Sequence, residues 1–408
     1  MTDQPQSLFH TAGLPYFLIA FIARLPFAMN VVGVLTVVVS ARDSLSLGGL
    51  TAAAVGVGTA VFGPLLGAAA DRFGQRIVLT LMAVSNAAML VLFTLTVYAD
   101  TPVFAVLLAG CAIGATAPQV APMSRSRLVT IITERMAPER HARTISSTMA
   151  YESAADEIVF VFGPFVVGLV ASTIAPWMPL VISAALTLLF VVAFALHPSG
   201  AHISAARGAD GKAPSSAAEL VRPALLVVML GNLGMGLFFG AMLTSLTAFM
   251  NEQGEPEQAG LLYGVMGIGS GILALGVAWF PARFTLRARW LFFAACLFIG
   301  SLALLMVEST GGMLLALAFM GIGVGPTLVT QYSFGAARSP AGRSATVMTM
   351  LGSAVIVGQS FAAALTGEVA ERADASAALL MPIAAAGIVL LAGALNWRPS
   401  NPHSRLSR

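Results

Sequence analysis

Charged residues are scarce in this sequence, and lysine is nearly missing. Only 10% of its 408 residues are charged, and Lys212 is the only lysine. Soluble domains usually carry about 25% charged residues. Since 58% of the chain is apolar, most of its surface is predicted to face lipid. The basic residues are scattered over short segments, which argues against a nucleic-acid partner.

Motifs of several enzyme and pump classes are also absent. No Gly-x-x-x-x-Gly-Lys-Ser/Thr loop is present, which excludes a pump driven by ATP bound to this chain. No His-Glu-x-x-His or paired Cys-x-x-Cys occurs, so no metal site is predicted. Cys111 and Cys296 lie inside apolar runs, where packing roles are expected. We predict no catalytic residues and no cofactor.

Twelve apolar runs are long enough to cross a bilayer as helices, which takes about 20 residues. They occupy residues 13–40, 47–70, 77–98, 102–122, 143–171, 176–196, 222–250, 258–281, 288–307, 311–333, 343–369 and 376–396. The sequence therefore predicts an all-α polytopic membrane protein. Its predicted parts are an N-terminal six-helix bundle (1–196), a linker (197–221), a C-terminal six-helix bundle (222–397) and a tail (398–408).

The positive residues fall almost entirely in alternate loops. One set of loops and the tail hold Arg72, Arg76, Arg125, Arg127, Arg135, Arg140, Arg143, Arg207, Lys212, Arg222, Arg283, Arg287, Arg289, Arg338, Arg343, Arg398, Arg405 and Arg408. The opposite set holds only Arg42 and Arg372. Because positive loops stay on the cytoplasmic side, both termini and the linker are predicted to be cytoplasmic, in an inner or plasma membrane.

The segment between spans 2 and 3 reads Gly67-Ala68-Ala69-Ala70-Asp71-Arg72-Phe73-Gly74-Gln75-Arg76. It resembles the loop 2–3 signature of the major facilitator superfamily, Gly-x-Leu-Ala-Asp-Arg-x-Gly-Arg-Arg/Lys. Ala69 replaces the usual leucine and Gln75 the usual arginine. Gly74 permits a tight reversal, and Asp71 can accept hydrogen bonds from a helix N-terminus.

This resemblance implies two pseudo-symmetric six-helix bundles that transport a small molecule by alternating access. It also implies that the loop latches the cytoplasmic gate in the outward-open state. The gating residues implied are Gly67, Asp71, Arg72, Gly74 and Arg76. The alternative is a positively charged turn with no gating role.

Span 5 carries a second resemblance at Gly163, Pro164 and Gly168. These residues are similar to a Gly-Pro motif that exporters of the superfamily often have, although Val159 stands where that longer motif starts with glycine. A Gly-Pro pair bends a membrane helix and allows close helix approach. The motif slightly favours export over import, and a static kink is the alternative.

Four ionisable side chains are predicted to lie deep in the membrane, where each costs at least ~2.5 kcal/mol. They are Arg24 in span 1 and Glu152, Asp156 and Glu157 in span 5. At 1.5 Å per residue, Arg24 lies level with the acids. One arginine cannot neutralise three carboxylates. We therefore expect Arg24 to pair with Asp156 or Glu152, and a remaining acid to exchange protons. The alternative is an ion network that only fixes the packing of spans 1 and 5.

Polar residues also occur in the spans that line the central cavity in the superfamily. The substrate contacts predicted on this basis are Asn30, Gln119, Asn232 and Gln331. Apolar residues of span 7 would suit an amphipathic substrate, although packing is the simpler interpretation; they are Met235, Phe238, Phe239 and Met242. Span 4, ended at residue 122, lacks the arginine that some drug/proton antiporters carry.

The leading hypothesis is a monomeric, proton-coupled exporter of a small, amphipathic molecule, with the bilayer and protons as its other partners. The nearest alternative is a sugar or organic acid importer of the same fold. A membrane sensor or scaffold that does not transport is an alternative from another class. An ion channel is a further alternative, but no rings of like charge are visible.

Overall fold

The computed structural model describes residues 8–200, 215–254, 259–281 and 283–397. Twelve of its helices are long and apolar enough to span a membrane, which confirms the predicted fold class. The spans, numbered 1 to 12, are Leu14–Arg42, Leu47–Phe73, Gln75–Tyr98, Val103–Arg135, Pro138–Thr173, Met178–Leu196, Pro223–Glu252, Ala259–Trp279, Leu286–Met306, Thr310–Arg338, Ser344–Arg372 and Ala375–Asn396.

Three spans of the N-terminal bundle are not continuous helices. Span 1 consists of Leu14–Ile22 and Leu25–Arg42, and span 4 of Val103–Thr116 and Val120–Arg135. Pro26 and Pro118 accompany these breaks because proline cannot donate a backbone hydrogen bond. Span 6 has α-helical parts Met178–Leu186 and Val192–Leu196, joined by the π-helical turn Thr187–Val191. The N-terminal bundle therefore has irregular backbone in three neighbouring spans.

The outside of the bundles is apolar. Large side chains such as Phe104 (72% exposed), Phe165 (63%) and Leu189 (66%) point away from the protein. In water such a surface would be an aggregation hazard, but in hydrocarbon it costs nothing. The chain is therefore a multi-pass membrane protein.

The two bundles pack together along spans 2 and 11, which run antiparallel. Small residues allow this approach: a Cβ added at any of three glycines of span 2 would lie within 3.1 Å of a hydroxyl oxygen of span 11. The pairs are Gly56 with Ser360, Gly63 with Ser353 and Gly67 with Thr349. Span 5 also contacts spans 8 and 10 across the boundary.

The end of the linker is attached to the C-terminal bundle. The backbone N–H of Ser215 donates to the carbonyl of Ala341 (3.1 Å), and Arg343 Nε donates to the carbonyl of Ser215 (2.7 Å). Lys212, the linker residues 201–214 and the tail from residue 398 lie outside the described residues.

Candidate transport site and gate

The predicted acidic residues of span 5 meet Arg24 inside the N-terminal bundle. Arg24 forms an ion pair with Glu152, and its Nη1 lies 3.4 Å from Asp156 Oδ1. Arg24 and Glu152 are buried, whereas the side chain of Asp156 is 22% exposed. The side chain of Glu157 lies outside the described part. Asp156 is therefore the more accessible of these two carboxylates.

A second arginine, which the loop charges predict outside the spans, completes this cluster. The loop charges predict Arg125 and Arg127 in a cytoplasmic loop, but both are buried in Val120–Arg135, the second helix of span 4. Arg125 Nη2 lies 2.5 Å from Asp156 Oδ2. The expectation that span 4 has no deep arginine was therefore wrong. Two arginines face Glu152 and Asp156, so neither carboxylate is left without a cation.

The signal that could have found Arg125 is the composition around it. The segment from Val120 to Ile132 contains no glycine and only one proline, Pro122, near its start. This composition predicts a helix. The high cost of a charged side chain in hydrocarbon nevertheless favours a loop at this position when only the sequence is considered. Arg125 avoids that cost through its partner on span 5, which a count of charges along the chain does not reveal.

Close packing of spans 1 and 5 continues about two helical turns beyond Asp156. A Cβ added at Gly163 would lie 2.6 Å from the Cβ of Ala28, so this glycine allows span 5 to touch span 1. Pro164 lies inside a helix that continues to Thr173, and Gly168 faces open space. Of the three residues in the Gly-Pro motif, Gly163 is the one that makes the close contact with another helix.

A chain of hydrogen bonds extends the cluster toward the start of span 1. Ser124 Oγ donates to Glu152 Oε1 (3.0 Å), and Tyr16 Oη lies 2.8 Å from Ser124 Oγ. Because an ionised carboxylate only accepts, Ser124 donates to Glu152 and accepts from Tyr16. Glu152 is therefore held by groups from spans 1 and 4.

The cluster also reaches the other bundle through Arg125. The guanidinium carbon of Arg125 lies 4.0 Å from the centroid of the Tyr332 ring of span 10. A cation over an aromatic face is stabilised by the ring quadrupole, most strongly when both groups are desolvated. Arg125 thus contacts Asp156 in its own bundle and Tyr332 in the opposite one.

The loop 2–3 signature makes the contact expected for Asp71. The carboxylate accepts backbone hydrogen bonds from Ala345 (3.0 Å) and Thr346 (2.7 Å), and another from the hydroxyl of Thr346 (2.5 Å). These groups form the N-terminus of span 11, where free N–H groups and the helix dipole favour an anion. Gly74 has φ 90°, a conformation suited to glycine. Arg72 and Arg76 are exposed.

Gln75, which replaces the usual arginine of the signature, is hydrogen-bonded to an arginine of span 4. Gln75 is buried, and its Oε1 accepts from Arg127 Nε (3.1 Å). Arg127 also donates to the carbonyl of Phe194 (2.9 Å) and stacks on its ring at 4.1 Å. Burial, with the charge of Arg127 adding to it, lowers the pKa of nearby His197. Gln75, which stands where the family signature usually has arginine, therefore contacts an arginine of span 4.

A third polar contact between the bundles joins spans 9 and 5. Arg289 Nη1 donates to Ser146 Oγ (3.2 Å), and its guanidinium lies 5.4 Å from the Phe280 ring. Together with the Asp71 and Arg125 contacts, it lies on the side where span 6 ends and span 7 begins, which we call the linker side. This structure is closed on the linker side.

The predicted substrate contacts are buried in this conformation. Asn30 accepts a hydrogen bond from Ser183 Oγ (2.6 Å), and Gln119 donates to the carbonyl of Ala117 (3.1 Å). Asn232 and Gln331 are fully buried in the C-terminal bundle. Of the apolar residues of span 7, Met235, Phe238 and Met242 belong to a buried core formed mainly by that bundle, with Phe239 packed against it.

Comparison with known proteins identifies the family. The sequence profile of the Major Facilitator Superfamily matches residues 16–363, which is most of the chain. The chain belongs to the major facilitator superfamily. It is a membrane transporter and not an enzyme. No curated protein matches the sequence.

Solved structures of other transporters share this fold. The human organic anion transporter MFSD10 (TETRAN) is 18% identical with a TM-score of 0.72, covering 96% of this chain and 100% of that one. The proton:xylose symporter XylE is 14% identical with a TM-score of 0.74, covering 95% of each chain. A bacterial homologue of the iron transporter ferroportin, in its outward-facing state, is 14% identical with a TM-score of 0.72, covering 93% and 98%. At these identities the likeness shows a common superfamily fold.

Proposed function

We propose that this superfamily member is a proton-coupled exporter of a small organic molecule, with Asp156 as the proton-binding group. The observation that carries the proposal is the position of Asp156. Its side chain is 22% exposed, and it pairs with Arg125, which also contacts Tyr332 of the opposite bundle. Glu152, by contrast, is fully buried. A coupling acid must exchange its proton with solvent, which Asp156 can do more readily than Glu152.

The contact between Arg125 and Tyr332 links this acid to the movement of the bundles. When Asp156 takes up a proton, its carboxyl group loses its charge and holds Arg125 less strongly. Arg125 is then free to leave the Tyr332 ring, which weakens one of the contacts that close the linker side. Proton binding and opening of the gate would thus be coupled through one guanidinium group. Loss of the proton would restore the ion pair and favour closure.

The export direction rests on the Gly-Pro resemblance in span 5. The residues of span 7 that suggested an amphipathic substrate pack in a core, so they give that suggestion no support. Import of a sugar or organic acid uses the same fold and remains the second candidate.

Transport in inverted membrane vesicles tests this proposal. A panel of drugs, sugars and organic acids is supplied with and without a pH gradient. For one proton exchanged, each pH unit supports about a tenfold substrate gradient. An exporter accumulates its substrate in these vesicles when their lumen is acidic, whereas an importer driven by symport expels it.

The variant Asp156→Asn separates coupling from binding. We expect it to abolish uphill transport and to retain exchange of labelled for unlabelled substrate, because exchange needs no net proton movement. Glu368→Gln, an exposed acid of span 11, is the control and should transport normally. If Asp156→Asn and Glu152→Gln both keep gradient-driven transport, these acids do not couple protons.

A further inference from the structure

A small cavity lies inside the N-terminal bundle, at the level where three spans lose regular helical form. Its volume for the centre of a water-sized sphere is about 10 Å³, which is room for about one water molecule or one ion. Its wall includes Ala23 at the break of span 1, Pro118 at the break of span 4 and Thr187 at the start of the π-helical turn. Three backbone irregularities therefore surround one internal space.

Two oxygen atoms of residues in this wall have no hydrogen-bond partner among the described residues. Asn86 is fully buried, and its Nδ2 donates to the carbonyl of Ile113 (2.9 Å) and to Thr116 Oγ1 (3.1 Å). These bonds fix the amide so that its Oδ1 is left over. Thr187 is also fully buried, and its Oγ1 is unpaired. A buried polar group without a partner costs about 1–3 kcal/mol, so two at one cavity indicate an occupant.

The chemistry of the wall limits what this occupant can be. An amide oxygen is only an acceptor, so it needs a hydrogen-bond donor or a cation. The space is too small for an organic molecule. Carbonyl and hydroxyl oxygens are ligands of hard cations. Interrupted membrane helices bring such oxygens together, because their unwound backbone carbonyls can coordinate Na⁺.

The nearby charges do not oppose a cation. Arg24 lies beside the cavity wall, between Ala23 and Pro26, but its side chain pairs with Glu152 and Asp156. With Arg125 included and Asp156 ionised, the described side chains of this cluster carry two positive and two negative charges. A monovalent ion with neutral ligands therefore meets no net positive charge there, whereas a divalent ion would lack a carboxylate in the wall.

We infer that this cavity binds a single sodium ion, ligated by Asn86 Oδ1 and Thr187 Oγ1 together with backbone carbonyls of the interrupted spans. The bound ion holds the breaks of spans 1, 4 and 6 in one arrangement and supports the segment that presents Arg24. This site is separate from proton binding at Asp156, and it stands whether or not that acid couples transport.

Thermal unfolding of the purified full-length chain in detergent tests the sodium site. Unfolding midpoints are measured in sodium chloride and in choline chloride at equal ionic strength, with potassium as a comparison for ion size. We expect a saturable rise of at least about 2 °C with sodium. An unchanged midpoint would mean that the cavity holds only water, and would overturn the inference.

The variant Thr187→Val removes one proposed ligand with little change in shape. We expect it to raise the sodium concentration for the half-maximal shift by at least about tenfold. The matched control is Thr366→Val in span 11, since Thr366 is also fully buried with an unpaired hydroxyl but does not line this cavity. A sodium response in Thr187→Val equal to that of the control would contradict the assignment.

Should Thr187→Val not fold, binding of radioactive sodium to the wild-type chain provides an independent measurement. Saturation at one ion per chain supports the site. No saturable binding refutes it.

Discussion

At the scale of single residues, pairing explains where the charged side chains lie. Arg42 is one of two arginines that the loop distribution placed on the side opposite the linker. Its guanidinium donates to the carbonyls of Val97 (2.7 Å) and Ala99 (2.6 Å) at the end of span 3. A cation is favoured at a helix C-terminus. Arg42 therefore stabilises the C-terminal end of span 3, and this local contact explains why an arginine lies on the side opposite the linker.

The Arg24 and Glu152 pair gives a prediction about stability. Replacing Arg24 by Gln leaves Glu152 buried without its main partner, and breaking a buried pair on one side costs about 3–5 kcal/mol. We expect Arg24→Gln to lower the thermal unfolding midpoint strongly. The double variant Arg24→Gln with Glu152→Gln should recover most of that loss, because no uncompensated charge remains at this position.

The exposed pair of Arg372 and Glu368 is the control for this experiment. Their side chains are 80% and 51% exposed, and surface pairs contribute little to stability. Arg372→Gln should therefore leave the unfolding midpoint nearly unchanged. If the double variant in the buried pair is no more stable than Arg24→Gln alone, the pair does not act as a charge-compensated unit.

At the scale of elements, spans 2 and 11 form a closely packed contact that ends in the Asp71 cap. Gly67 lies at the tightest point: an added Cβ would come within 2.1 Å of Thr349 Oγ1 and 2.8 Å of the Ala345 carbonyl oxygen. The second atom is backbone, so a side chain at position 67 can be accommodated only if the helices separate. The resemblance predicted a role for Gly67, and the structure supplies this physical reason for glycine.

We predict that Gly67→Ala destabilises the closed linker side by about 1–3 kcal/mol, as overpacking commonly does. The measurement is maleimide labelling of Ser353→Cys from the linker side, in a background with Cys111→Ala and Cys296→Ala. Labelling should become faster as the two spans separate.

Gly49→Ala in the same helix is the matched control. A Cβ at Gly49 meets nothing within 4 Å, so alanine there should be neutral or stabilising by up to about 1 kcal/mol. Equal labelling rates in the two variants would show that the contact at Gly67 does not hold the gate closed.

At the scale of the whole molecule, the bundles touch through polar contacts on the linker side, made by Asp71, Arg125 and Arg289. Alternating access requires these contacts to break and re-form together. If the linker is cytoplasmic, as the loop charges predict, this conformation is closed to the cytoplasm.

The orientation is a separate prediction. Reporter fusions at both termini should show cytoplasmic activity, and a reporter inserted between spans 3 and 4 should show the opposite side. A fusion at the linker should agree with the termini. Termini that report opposite compartments would contradict an even number of spans and, with it, the assigned topology.

The sequence by itself determined the class of molecule, the number of spans and the place of the loop 2–3 signature. These depend on local quantities: the length of each apolar run against the thickness of hydrocarbon, and the residues that one turn requires. Tertiary structure alone decided that Arg125 belongs inside span 4, that Tyr332 covers it, and that Asn86 and Thr187 share a cavity. Whether a buried charge is tolerated depends on a partner from another helix, and distance along the chain does not encode that partner.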